Sequence, residues 1–192
     1  MKKDIILSGV GGQGILSIAT IIGYAAVEND MYLKQAEVHG MSQRGGDVQS
    51  HLRISDNIIY SDLIAEGKAD LIIAVEPMEA LRYLPYLCKG GWMITNTKPF
   101  LNIPNYPEIE AVLSKINEQP KKVSLDADTI AKEIGTTKCM NMVMLGAASP
   151  YLDLPVEKLR EGISTVFGRK GEKIVNMNLE AFDAGRKAAE KK

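Results

Sequence analysis

The sequence has few of the residues that bind metal ions and iron–sulfur clusters. Its 192 residues include two cysteines, Cys88 and Cys139, and two histidines, His39 and His51. An iron–sulfur cluster needs about four thiolates, commonly in a CxxC spacing, so we expect no cluster on this chain alone. A dedicated zinc site is equally unexpected with so few ligands. We expect two buried thiols rather than a disulfide, and Cys139, with no positive cluster near it in the sequence, is expected to be inert.

The sequence also lacks an excess of one charge and long apolar runs. Lys and Arg number 23 against 24 Asp and Glu, a net charge of -1, so no basic field predicts nucleic-acid binding. No run approaches the roughly 20 apolar residues that cross a bilayer. The apolar run beside Asp4 is too short for a signal peptide. We therefore expect a cytoplasmic protein that binds neither nucleic acid nor membrane.

Strand-like and helix-like segments alternate along the chain, with no repeat or linker. Strands are predicted at 4–8, 32–38, 70–75, 92–96 and 122–125, of which 70–75 is a continuous apolar run. Helices are predicted at 15–27, at 77–87 before Lys89-Gly90-Gly91, at 106–118, from an Asp126 or Asp128 N-cap to Gly135, and from Asn141 onward. This order predicts one domain over 1–192, a three-layer α/β/α Rossmann-like sandwich with a mostly parallel, mixed sheet and a helical C-terminus.

One segment predicts the antiparallel part of that sheet. Residues 47–54 alternate, with Asp47, Gln49, His51 and Arg53 on a wetter face. The turn signal Ser-Asp-Asn at 55–57 and the apolar residues 58–60 then predict the second strand of a hairpin.

A glycine-rich loop follows the first predicted strand. Residues 7–16 read LSGVGGQGIL, in which Gly9, Gly11 and Gly14 match GxGxxG between a strand and a helix. Glycines let a backbone approach a phosphate, and a helix N-terminus offers free N–H groups. Glu37, about 20 residues later, has the place of a ribose-binding acid in an NAD or FAD site. The other interpretation is that the glycines only let strand and helix pack closely.

A second polar segment, residues 37–50, reads EVHGMSQRGGDVQS. It follows a predicted strand, at the edge where open α/β sheets bind ligands. Arg44, next to Gly45, could reach an anion without crowding. A solvated polar turn is the other interpretation.

Several motifs in one order carry a family resemblance. GVGGQG, EVHGMSQRGGDVQSHLRI, ADLIIAVEPMEALRYL, GGWMITNT and NMVMLGAAS resemble the gamma-type domain of 2-oxoacid:ferredoxin oxidoreductases over nearly the whole chain. Within that family the chain is most similar to the small (beta) subunit of the indolepyruvate type.

The resemblance implies a subunit of an oxidoreductase and not an enzyme that works alone. A 2-oxoacid, an aryl pyruvate such as indolepyruvate, and coenzyme A would give an acyl-CoA, carbon dioxide and reduced ferredoxin. Thiamine diphosphate with its magnesium and the iron–sulfur clusters would lie on a large alpha partner subunit, and ferredoxin would dock on the complex. The isolated chain is expected to be inactive and to carry no catalytic residue of its own.

The resemblance also suggests roles for individual residues. Coenzyme A phosphates would bind the loop residues Gly9, Gly11, Gly12, Gln13 and Gly14. The substrate mouth or the subunit interface would be formed by Glu37, His39, Gln43, Arg44, Gly45 and Asn141, with Glu37 and His39 orienting the loop. Two alternatives stay open: a regulatory module that binds NAD through GxGxxG and Glu37, and a structural assembly subunit whose glycine loop binds nothing.

Overall fold

The computed structural model describes residues 1–39, 45–101 and 103–190, and its strands form one sheet in the order β2-β3-β1-β4-β5-β6. Strand β3 runs antiparallel between β2 and β1, whereas β1, β4, β5 and β6 pair in parallel. The prediction of a mostly parallel, mixed sheet is confirmed. The strands are β1 (Lys2–Val10), β2 (Tyr32–His39), β3 (Asp47–Ser55), β4 (Ala69–Ala74), β5 (Leu87–Asn96) and β6 (Lys122–Leu125).

The described part of the chain contains seven α-helices. The first spans its predicted bounds, and the fourth begins at the N-cap Asp126, whose carboxylate accepts a hydrogen bond from the Thr129 backbone N–H, and ends at Gly135. None of these helices is long and apolar enough to cross a membrane. They are α1 (Ile15–Val27), α2 (Pro77–Arg82), α3 (Ile109–Asn117), α4 (Ala127–Ile134), α5 (Met140–Ala148), α6 (Val156–Phe167) and α7 (Glu172–Glu190).

The sheet separates two apolar cores, which gives the three layers. Successive side chains of a strand point to opposite faces. In β1, Ile5 and Leu7 pack with α1 and α4 to α7, whereas Ile6 packs with α2 and α3. Because both faces are covered, the central strands are continuous apolar runs rather than alternating ones.

The predicted hairpin partner of β3 is wrong. Residues 58–60 form no strand; β3 pairs instead with β2 and β1. The Nδ1 of His51 accepts a hydrogen bond from the Ile64 N–H, and Arg53 donates to the carbonyls of Ser61 and Leu63. These bonds hold the segment that follows β3 across the face of that strand, so His51 is buried although it belongs to the predicted wetter face.

The predicted helix over 77–87 is too long, and the glycines after it do not end a helix. Helix α2 ends at Arg82, because Pro85 lacks the N–H that the next turn would need. Gly91 lies within β5, where the register to β4 shifts. A Cβ on Gly91 would lie 3.0 Å from the carbonyl oxygens of Ala69 and Asp70, so the glycine permits close approach of two backbones.

Candidate functional site

The glycine loop, residues 9–14, lies at the carboxyl end of β1, where the two halves of the sheet diverge. From β1 the chain crosses through α1 to β2, and from β4 it continues through α2 to β5, on the other side of β1. Helices α1 and α2 belong to the cores on opposite faces. The carboxyl ends of β1 and β4 therefore flank a topological switch point, the place where open α/β sheets bind ligands.

Two of the loop glycines are required by packing. A Cβ on Gly9 would lie 2.3 Å from Cγ2 of Val75, and one on Gly14 would lie 2.4 Å from Nδ2 of Asn141. Gly12 differs, because its φ of +100° favours glycine while the space around its Cα is open. Packing alone thus explains part of the GxGxxG pattern, whereas Gly12 faces open space.

The side chain of Gln13 closes the loop. Its Oε1 accepts a hydrogen bond of 2.8 Å from the Val10 N–H, and its Nε2 donates to the Val75 carbonyl oxygen at 3.5 Å. The Gln13 N–H donates to the Val10 carbonyl at 3.1 Å. Gln13 therefore shapes the loop and ties it to the segment after β4, and both ends of its amide are engaged in this.

The loop delivers the chain into the N-terminus of α1. Gly14 is the N-cap residue, and its carbonyl oxygen accepts hydrogen bonds from the N–H groups of Ser17 and Ile18. The N–H groups of Ile15 and Leu16 precede the first intrahelical bond and have no acceptor within the helix. The first turn contains no acidic residue. The partial positive charge of the helix end is therefore available to an anion.

The structure brings the two segments singled out in the sequence together. The Gly11 N–H donates to the Gly46 carbonyl oxygen at 2.8 Å, and Val10 pairs with Asp47 across the β1–β3 ladder. Gly45, with φ +76°, leads into that contact. Gln43 and Arg44 lie outside the described residues, and of His39 only the backbone, the end of β2, is described.

Glu37 lies in β2, half-buried, and its Oε2 accepts no hydrogen bond from a described residue. In a dinucleotide-binding fold the strand that carries the ribose-binding acid is adjacent to β1. Here β3 is inserted between them, which places β2 about 10 Å from β1. This topology weighs against the NAD interpretation of Glu37.

Asn141, from the distant NMVMLG motif, also reaches the loop. It is buried, and its Nδ2 donates to the Gly14 carbonyl oxygen at 3.1 Å. The structure thus brings Asn141 to the glycine loop, while its predicted place at the substrate mouth or interface stays a prediction.

Glu76, the residue after Val75, was not singled out in the sequence. It is 1% exposed. Its Oε2 accepts a hydrogen bond from the Glu79 N–H, and its Oε1 accepts hydrogen bonds from the Phe100 N–H and the Tyr106 hydroxyl. One carboxylate therefore caps α2 and holds the segment after β5 beside the crevice. The sequence signal is a glutamate immediately before a helix-starting proline.

A second acidic group near the crevice was also missed. Burial raises the pKa of Glu79, and the bond from the Arg82 guanidinium partly offsets this. Burial and then the Asp47 charge raise the pKa of Tyr83, whose hydroxyl donates to Asp47 at 3.2 Å. This cluster ties α2 to the start of β3. The i, i+3 spacing of Glu79 and Arg82 was the one sequence signal for it.

The two thiols do not come together. Cys88 is half-buried in β5, whereas Cys139 is buried just before α5 and its Sγ lies 3.0 Å from the Thr136 carbonyl oxygen. Burial raises the pKa of Cys139. Within the described ranges, no three His, Cys, Asp or Glu side chains gather as metal ligands. These thiols do not fit an iron–sulfur cluster, which needs about four.

Comparison with known proteins assigns the chain to a family. The family model for pyruvate ferredoxin/flavodoxin oxidoreductase matches residues 4–188. The chain is 39% identical over 200 residues to the indolepyruvate oxidoreductase subunit IorB of Pyrococcus horikoshii, with 98% of this chain and 97% of the relative covered. It is 31% identical to the common gamma subunit of the pyruvate/ketoisovalerate oxidoreductases of Thermococcus litoralis, with 94% and 95% covered.

Solved structures confirm the fold. The keto/oxoacid ferredoxin oxidoreductase gamma subunit of Geobacter sulfurreducens aligns with a TM-score of 0.72 at 24% identity, over 99% of both chains. The 2-oxoglutarate:ferredoxin oxidoreductase of Magnetococcus marinus, solved with 2-oxoglutarate, coenzyme A and succinyl-CoA bound, aligns with a TM-score of 0.79 at 23% identity. That match covers 100% of this chain and 31% of the other. With its sequence matched over nearly its full length, the chain belongs to the pyruvate ferredoxin/flavodoxin oxidoreductase family and is homologous to the small subunits of 2-oxoacid oxidoreductase complexes.

Proposed function

We propose that this chain is the small subunit of a coenzyme A-dependent indolepyruvate ferredoxin oxidoreductase and that its glycine loop binds the phosphates of coenzyme A. One observation carries the proposal: the Ile15 and Leu16 N–H groups, without intrahelical acceptors, follow the glycine loop directly at the switch point of the sheet, and Gly12 in that loop faces open space. A phosphate needs such donors and a local positive potential. Coenzyme A is bound in the solved relative from Magnetococcus marinus, which supports this choice of ligand.

The relatives' names support an aryl pyruvate as the 2-oxoacid. Those named indolepyruvate oxidoreductase subunits are 36% to 39% identical to this chain, whereas those named for pyruvate, ketoisovalerate or 2-oxoglutarate are 30% to 31% identical. In this proposal thiamine diphosphate, magnesium and the iron–sulfur clusters belong to a large partner subunit. Cytoplasmic location and ferredoxin as the electron acceptor are parts of the same proposal.

The contribution of this chain to the reaction is binding and orientation. Backbone N–H groups at the start of α1 would neutralise phosphate charge without moving a proton, and the Gln13 amide would keep the loop in shape. Coenzyme A held this way would direct its thiol toward the partner, where decarboxylation of the 2-oxoacid and transfer of the acyl group take place.

A structural assembly subunit is the second candidate. It is favoured by the packing of Gly9 against Val75 and of Gly14 against Asn141, because both glycines have a reason to be there without any ligand. Under this alternative the loop binds no coenzyme A, and changes at Gly12 leave the kinetics unaltered.

A matched pair of glycine variants separates the two candidates. Gly12 and Gly171 have φ values of +100° and +92°, and a Cβ on either would meet nothing within 4 Å. Valine at either position therefore strains the backbone similarly, but only Gly12 lies in the loop. In the assembled complex, Gly12→Val should raise the KM for coenzyme A about tenfold or more, the effect of losing a hydrogen bond to a charged group. Gly171→Val should leave it unchanged, and an equal KM in both variants would reject the phosphate site.

Purification of this chain under anaerobic conditions from its native host tests the partner and the substrate. A stoichiometric large chain that carries thiamine diphosphate and iron–sulfur clusters, and reacts faster with indolepyruvate than with pyruvate or 2-oxoglutarate, is the expected result. A higher rate with 2-oxoglutarate would reject indolepyruvate as the substrate and leave the proposed class of reaction unchanged. Saturable NAD binding by the isolated chain would favour the regulatory alternative.

A further inference from the structure

Asn141 connects the glycine loop to a helix 127 residues later in the chain. Its Nδ2 donates to the Gly14 carbonyl oxygen at 3.1 Å, and its Oδ1 accepts a hydrogen bond of 3.1 Å from the Met142 N–H. The second bond decides which way the amide faces, because a backbone N–H can donate to the oxygen and not to the NH₂ group. The donor end of Asn141 is therefore held toward Gly14.

The oxygen that Asn141 holds belongs to the same peptide plane as the Ile15 N–H. A trans peptide is planar, so its C=O and N–H point in opposite directions and turn together. Fixing the Gly14 oxygen therefore fixes the direction of the Ile15 N–H, which has no acceptor within α1. Within α1 the Gly14 oxygen accepts bonds from Ser17 and Ile18, at 3.1 and 3.4 Å, and Asn141 adds a bond to this plane from outside the helix.

Helix α5, which carries Asn141, has little freedom to move. All 9 of its residues are buried. It crosses α7 so closely that a Cβ on Gly146 would lie 1.9 Å from the Phe182 carbonyl oxygen, and one on Gly185 would lie 1.9 Å from the Val143 carbonyl oxygen. Asn141 is thus anchored in the most tightly packed part of the apolar core and cannot follow the loop if the loop moves.

Helix α1 does not need this bond for its own stability. The Gly14 oxygen already accepts hydrogen bonds from Ser17 and Ile18, and 8 residues of α1 are buried. We propose that Asn141 is a positioning residue, which holds the Ile15 N–H in the direction that a coenzyme A phosphate requires. This inference rests on the proposed function of the glycine loop.

A matched pair of asparagine variants tests the proposal in the assembled complex. Asn178 is also buried, and its Nδ2 donates to a backbone carbonyl, that of Ile174, within α7. Asn141→Ala should raise the KM for coenzyme A about three- to tenfold, the factor that corresponds to one neutral hydrogen bond. The KM for the 2-oxoacid and kcat should change less than about twofold, since no other binding step uses this N–H. Asn178→Ala should alter none of them.

Hydrogen exchange of the α1 amides supplies a readout that does not depend on coenzyme A. In the complex without ligand, exchange at Ser17 and Ile18, whose N–H groups donate to the Gly14 oxygen, should be faster in Asn141→Ala than in the wild type and in Asn178→Ala. If the alanine variant fails to assemble, Asn141→Leu, which is similar in volume and uncharged, removes the donor and carries the same test.

The outcomes separate this proposal from the one on which it rests. If Gly12→Val raises the KM for coenzyme A and Asn141→Ala changes neither that KM nor the exchange, the positioning role alone is overturned. A fall in kcat with an unchanged KM for coenzyme A would also overturn it, since Asn141 would then be merely structural. If neither variant alters this KM, the phosphate site itself has failed and the role of Asn141 falls with it.

Discussion

Replacing Glu76 by alanine should destabilise the protein by about 4 kcal/mol. The carboxylate accepts hydrogen bonds from the Glu79 N–H, the Phe100 N–H and the Tyr106 hydroxyl, and it is 1% exposed. Loss of the helix N-cap costs about 1 kcal/mol. The Tyr106 bond to a charged group contributes about 2 kcal/mol, and the longer Phe100 bond, at 3.3 Å, about 1 kcal/mol. For a domain of this size the melting temperature should fall by about 8–16 °C.

Urea unfolding of the chain measures this free energy, and Tyr106→Phe provides the internal comparison. That variant removes one of the three bonds and should cost about 2 kcal/mol. The double variant should lose less free energy of unfolding than the two single variants together. The difference should be about the contribution of the Tyr106 bond, because both changes delete that bond. A loss below about 1 kcal/mol for Glu76→Ala, or full additivity with Tyr106→Phe, would refute the role of Glu76 as the common anchor of α2 and the segment after β5.

Three further predictions concern other parts of the molecule. Burial and then the Arg53 charge lower the pKa of His51 below 6.5. The unfolded chain therefore binds more protons than the folded chain, and stability falls as the pH drops below about 6.5. Urea unfolding between neutral pH and about pH 5 should show a weaker loss of stability in His51→Asn than in the wild type. Gly146→Ala should cost about 3 kcal/mol or more by forcing α5 from α7, whereas Gly168→Ala, in helical backbone with open space around it, should raise stability by about 0.4–1 kcal/mol. Cys139, buried and with a raised pKa, should resist iodoacetamide until urea unfolds the chain, as peptide mass spectrometry would show.

Local sequence patterns predicted the fold correctly where each pattern was compatible with a single structure. The apolar run after the glycine loop became α1 with its predicted bounds, and the run DLIIAV became the core of β4. The predicted hairpin was wrong because turn residues at 55–57 indicate a change of chain direction but not which strand pairs with β3. The answer depends on His51 and Arg53, whose bonds to the segment 61–64 span the sheet face.

Glycines were the least predictable residues, because one residue type serves several purposes. Gly91 is predicted to end a helix, but it permits the close approach of β5 to β4. Gly9 and Gly14 match a phosphate-binding motif, but they also avoid steric clashes, Gly9 with Val75 and Gly14 with Asn141. The sequence spacing is the same in either case. The neighbours that distinguish the purposes come from distant parts of the chain and become visible once the fold is known.

The same limit explains why Glu76 and the partners of Asn141 were missed. The role of each residue depends on a contact between residues far apart in the sequence. Glu76 is hydrogen-bonded to Tyr106, 30 residues away, and Asn141 to Gly14, 127 residues away. Neither contact has a local periodicity. A proline after Glu76 predicts the start of a helix, but nothing in that dipeptide predicts that the Glu76 carboxylate holds the segment after β5.

The charges around the crevice indicate what kind of work this chain can do. Among the described residues, Glu76, Glu79 and Asp47 each accept a hydrogen bond from a neighbour within the fold. A carboxylate that is hydrogen-bonded within the fold stabilises the structure, whereas a general acid or base must reach the reacting atoms. In the proposed phosphate site the backbone N–H groups of the loop need no titration and act through direction alone. Changes to these acids should therefore lower stability, whereas the proposal expects changes to Gln13 or Asn141 to lower the affinity for coenzyme A.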